Sequence, residues 1–160
     1  MLEPPAVDTL VVGCGNALRG DDGAGPAVLR ELAGRGLPPG VRLLDAGTRG
    51  MDVAFAMRDV RRVVVVDASQ VGAEPGAVHR VPADELVGLA PPEGNMHLIR
   101  WDQALGFARW LLEDDYPTDV TVYLVEGASF EAGAPLSTAV DAAVQRIAGT
   151  IEADLREDLA

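Results

Sequence analysis

Short apolar runs alternate along this chain with longer stretches of helical spacing. Thr9–Val12 is β-branched and apolar and stops at Gly13, which predicts a buried strand. A glycine-rich loop over Gly13–Gly23 follows. A helix is expected from Asp22 or Gly23 to Ala33, with Val28, Leu29 and Leu32 on its apolar face and Pro26 in a first turn that tolerates proline. Val41–Leu44 reads as a second strand closing at Asp45. Beyond it Thr48 is placed to cap a short helix whose inner stripe is Met51, Ala54 and Phe55. Four consecutive valines, Val63–Val66, have the pattern of a central strand covered on both faces, ending at Asp67.

The second half is built the same way. Ala77–Val81, with Pro75 before it and Pro82 after it, suits a sheet edge, because proline cannot donate to a ladder. Ala83–Leu89 reads as a helical turn and Ala90–Asn95 as a loop. Trp101, Ala104, Leu105, Ala108, Leu111 and Leu112 keep helical spacing. Val120–Val125 is the last strand and Gly127–Pro135 a loop. Ser137 then caps a long helix with a core face of Val140, Ala143, Val144, Ile147, Ile151 and Leu155. Strands alternating with helices imply one α/β domain over residues 1–160, a layered sandwich on a largely parallel sheet.

Composition removes several classes of chemistry. Hydrophobic residues are 48% of the 160 positions and charged residues 24%, which suits a packed domain. No apolar run approaches the ~20 residues of a membrane span, and no signal peptide is visible, so no membrane insertion and a cytoplasmic location are expected. The net charge of −12 disfavours nucleic acid, whose binding requires phosphate neutralisation. The chain has no lysine, which excludes a Schiff base and a phosphate-loop lysine. Its single cysteine, Cys14, cannot form an intrachain disulfide and is read as a packing residue. None of its three serines lies in G-x-S-x-G. His79, on the edge-strand candidate, is given no role.

Carboxylates remain, and they gather where ligands bind. In open α/β sheets ligands sit beyond the C-terminal ends of the strands. There Asp21 and Asp22 follow the first strand, Asp45 and Asp67 close the second and third, and Glu126 closes the last. Gly13-Cys14-Gly15 invites a dinucleotide reading, but Leu18 stands where a third glycine belongs, and Asp21 and Asp22 would repel a pyrophosphate. Each acid has a plain structural reading: Asp22 a helix cap, Asp45 and Asp67 turn residues, His97 a loop histidine. Taken together, two acids and a histidine suit acid–base work or a borderline divalent ion such as nickel, zinc or iron.

The run Gly13-Cys14-Gly15-Asn16-Ala17-Leu18-Arg19-Gly20-Asp21-Asp22-Gly23-Ala24-Gly25 resembles the G-x-G-N-x-L-x-x-D-[DE]-G-x-G motif of the [NiFe]-hydrogenase maturation endopeptidases. Asp45-Ala46-Gly47-Thr48, Val65-Val66-Asp67-Ala68, His97 ahead of a helix, and Leu136-Ser137 ahead of the last helix follow in the family's order. The resemblance implies a three-layer sandwich: a five-stranded, mostly parallel twisted sheet with one antiparallel edge strand and helices on both faces. It implies that Asp22, Asp67 and His97 form the catalytic and metal-contacting site. The implied reaction removes a C-terminal extension from a hydrogenase large-subunit precursor after nickel insertion. The nickel is carried by the substrate, and other divalent ions can substitute. A metal polarising the scissile carbonyl and a carboxylate acting as general base both remain open for the catalytic step. A non-catalytic nickel- or hydrogenase-binding module of the same fold is the alternative. Asn95, where a small hydroxyl residue often stands, and the proline-free Glu126–Glu131 depart from the family pattern on substrate-facing loops.

Overall fold

A computed structural model of the chain describes residues 7–47, 50–86 and 105–157. Five strands form one sheet: β1 (Thr9–Cys14), β2 (Val41–Gly47), β3 (Arg62–Ser69), β4 (Val78–Pro82) and β5 (Asp119–Glu126). Their order is β2-β1-β3-β5-β4. The first four in that order run parallel, while β4 lies antiparallel on β5 at the edge. The proline-flanked segment is therefore the edge strand, where the missing N–H of Pro82 is tolerated.

Alternation along the central strands divides the core in two. Val63 and Val65 of β3 join Leu10 and Val12 of β1 and Val122 of β5 on one face. That face is covered by α2 (Gly50–Ala56) and by α4, described over 105–112. Val64 and Val66 face the other way, onto α1 (Ala24–Arg35) and α5 (Thr138–Glu157). Each fully buried valine contributes about 1.5–3 kcal/mol, so the four-valine run is covered on both sides, as its composition predicts. The six positions assigned to the core face of the last helix are all buried. A short turn of helix, α3 (Ala83–Leu86), follows β4.

Several elements differ from the sequence reading. The strands run further than their apolar cores: β1 includes Cys14, β2 continues past Asp45 to Gly47, and β3 past Asp67 to Ser69. Pairing of Asp67 with Leu124 and of Ser69 with Glu126 carries the ladder through the acid, because backbone pairing is indifferent to side-chain polarity. Phe55 is exposed, not on the inner face of α2; Val53 and Ala54 fill that face. A 3-10 turn, Gly20–Gly23, precedes α1, which starts at Ala24. The proposed cap Thr48, helix positions Trp101 and Ala104, the loop Ala90–Asn95 and His97 lie outside the described residues.

Candidate active site

The loop after β1 is folded tightly enough to bury two adjacent carboxylates. Gly15 has φ +118, and a Cβ there would stand 2.0 Å from the carbonyl oxygen of Asp22 and 3.0 Å from its Oδ1. Only glycine allows both that backbone angle and that approach. Asn16 donates its N–H to Asp22 Oδ2 at 2.9 Å, and its side-chain Oδ1 accepts the Leu18 N–H at 2.9 Å. The Asp22 side chain is thus held by the loop and does not cap α1; the residue at the cap position is Gly23, without a side-chain bond.

A second close approach fixes this loop against the sheet. A Cβ on Gly25 would lie 2.4 Å from the Cys14 carbonyl oxygen and 2.6 Å from that of Val66. The first turn of α1 therefore rests directly on the backbone of β1 and β3, and it carries the 3-10 turn with it. Asp67, on β3, is 2% exposed, and its Oδ1 accepts the N–H of Ala68 at 2.8 Å.

Cys14, the last residue of β1, lies at the same end of the sheet, since Gly13 pairs with Val66, the residue before Asp67. Its buried thiol is pushed well above the ordinary value, first by burial and then by the negative charges of Asp67, Asp45 and Asp22. These three carboxylates come from three separate segments: the turn after β1 and the C-terminal ends of β2 and β3. Asp22 and Asp67 are buried within this group, whereas Asp45 is exposed and turned to its own chain, accepting the Gly47 N–H at 3.0 Å. A thiol kept protonated is a poor nucleophile, in keeping with the packing role read for Cys14. Among the described residues no three His, Cys, Asp or Glu side chains group to hold an ion by themselves; the third candidate, His97, lies outside them.

The other two rim acids do structural work that the sequence does not announce. Asp21 is fully buried and points away from Asp22. It accepts the Ser137 N–H at 2.7 Å, the Ala128 N–H at 2.7 Å, the Ser137 hydroxyl at 2.9 Å and the Ser129 N–H at 3.2 Å. Burial alone would raise its carboxyl, but the bonds from Ser137, Ala128 and Ser129 outweigh it and hold the group below the usual carboxylate value. Glu126 accepts the Ser69 hydroxyl at 3.1 Å and the N–H groups of Val71 at 3.1 Å and Gly72 at 3.0 Å. Asp21 thus locks the loop between β5 and α5, and Glu126 locks the loop after β3. The sequence signal for Asp21 is its adjacency to Asp22 in the motif; its partners lie more than a hundred residues away.

Comparison with known proteins agrees with this architecture. Residues 26–154 match the family model for hydrogenase maturation proteases. A protein of Methanocaldococcus jannaschii named as a hydrogenase maturation protease is 41% identical over 94 residues, covering 58% of this chain and 61% of that one. The delta subunit of coenzyme F420 hydrogenase from Methanothermobacter thermautotrophicus is 37% identical over 103 residues, covering 59% and 62%. The aligned part thus spans about six tenths of each relative. The solved structure of the hydrogenase maturating endopeptidase HybD from Escherichia coli superimposes with a TM-score of 0.84 at 27% identity, covering 94% of this chain and 93% of that one. By the match of its family model, its topology and its glycine-rich acidic loop, the chain belongs to the hydrogenase maturation protease family.

Proposed function

We propose that this protein is an endopeptidase that makes one cut in a [NiFe]-hydrogenase large-subunit precursor, removing the C-terminal extension after nickel insertion. The observation that carries the reading is the pair of buried carboxylates, Asp22 in the turn that follows β1 and Asp67 on the adjacent parallel strand β3, at the same end of the sheet. Family membership supports the reaction class.

In this reading Asp22 and Asp67, together with His97, contact the nickel held by the substrate. A set of two carboxylates and one imidazole leaves room for ligands from the precursor, so a loaded precursor gains a contact that an empty one lacks. Backbone N–H groups orient both carboxylates before substrate arrives, through Asn16 for Asp22 and Ala68 for Asp67. Water adds to the scissile carbonyl while one of the two carboxylates takes its proton. The C–N bond then breaks and that proton passes to the leaving amine. The acidic, lysine-free chain acts in the cytoplasm on a protein partner, without nucleic acid or membrane insertion.

The test is to incubate the purified protein with nickel-loaded and nickel-free precursor and to weigh the products by mass spectrometry. Shortening of the loaded form alone is expected. Shortening of both equally contradicts recognition through nickel. Binding without shortening turns the reading into that of a non-catalytic accessory module.

A further inference from the structure

Two rim loops each hold out an aliphatic side chain on a backbone that is already tied down. Leu18, in the loop after β1, is 76% exposed, and Val71, in the loop after β3, is 53% exposed. The Leu18 N–H donates to Asn16 Oδ1 at 2.9 Å, and its carbonyl accepts the Gly133 N–H at 2.8 Å. The neighbouring Arg19 N–H bonds the Asn16 carbonyl at 3.1 Å. The Val71 N–H donates to the buried carboxylate of Glu126. A single exposed leucine is ordinary on a protein surface. Here two stand on loops at the ends of adjacent parallel strands, and those same strands and loops carry Asp22 and Asp67. Asn16 joins the two features directly: its N–H holds the Asp22 carboxylate and its side chain holds Leu18.

We propose that Leu18 and Val71 are substrate-positioning residues, forming apolar lips that receive aliphatic or aromatic side chains of the precursor next to its metal-bearing segment. This rests on the precursor being the substrate. Neither loop backbone has to be ordered when the substrate arrives, so the apolar contact is available to binding nearly in full. The contact is made in the ground state and the transition state alike, and it acts on KM more than on kcat.

The experiment is steady-state processing of nickel-loaded precursor by the native protein and by Leu18→Ser, Val71→Ser and Leu18→Met, each with a thermal melt. Leu18→Ser is expected to raise KM roughly tenfold, and Val71→Ser several-fold, with kcat within about twofold and unchanged melting. Leu18→Met, which keeps the apolar volume, retains native KM. Native KM in both serine variants overturns the proposal, as does a loss that follows a lowered melting temperature. A native protein that shortens no precursor overturns the functional reading itself, and this proposal with it.

Discussion

Replacing Asp21 by asparagine tests the idea that a buried carboxylate, and not apolar packing, closes the rim. The carboxylate takes three backbone N–H bonds and one hydroxyl bond, all at 2.7–3.2 Å, with no exposure to water. An amide has one acceptor oxygen. If that oxygen faces Ala128 and Ser129, the NH2 group is set against the Ser137 N–H; the opposite orientation opposes two N–H groups. A buried bond to a charged group is worth about 1.5–3 kcal/mol, and a stranded donor costs about 1–3 kcal/mol. Asp21→Asn should therefore lose roughly 2–4 kcal/mol at pH 7, a large share of the ~5–15 kcal/mol of a typical domain. Urea unfolding should show a lower midpoint at unchanged slope. The dependence on pH has a definite sign. The folded-state carboxyl titrates below its ordinary value of 3.8, so its stabilisation is complete above that value and is lost as pH falls through the folded-state value. Asparagine does not titrate, so the gap between the two proteins should narrow below about pH 4. A loss under about 1 kcal/mol at pH 7, or a gap unchanged between pH 7 and pH 3, would refute the reasoning.

Three other outcomes follow from the same geometry. Gly15→Ala places a Cβ against Asp22 at a left-handed φ and should cost about 2–4 kcal/mol in urea unfolding, together with most of the processing activity. Cys14→Ala should keep processing within a few-fold, and iodoacetamide at pH 7 should leave the native protein active, because the thiol stays protonated. Glu126→Gln should destabilise by about 2 kcal/mol, with faster amide exchange at Val71 and Gly72 as the direct readout.

The layered fold was legible because its signals are local. The valine run of β3, the helical spacing of α5 and the prolines beside β4 each dictate an environment without reference to distant residues. Strand ends were less so: Asp45 and Asp67 read as punctuation, yet both lie inside strands, since the neighbouring ladder decides where pairing stops. The exposure of Phe55 shows a similar limit: its ring meets the half-buried Phe107 of α4 edge-on at 6.3 Å, and the helical period of one helix does not announce a contact with another. The acids of the rim divide in a way that residue type cannot reveal. Asp21 and Asp22 are chemically identical neighbours, but one turns to the β5–α5 loop and the other accepts the Asn16 N–H. Only the folded path of Gly15 and Gly25 separates them.

The account depends most on Asp22 and Asp67, with His97, meeting at one ion. Crystals soaked in a zinc salt and measured at the metal's absorption edge would test this directly. The expected result is one anomalous peak roughly 2.0–2.2 Å from a carboxylate oxygen of each aspartate and from an imidazole nitrogen of His97. Zinc bound elsewhere, with the three side chains directed to separate surfaces, would contradict it.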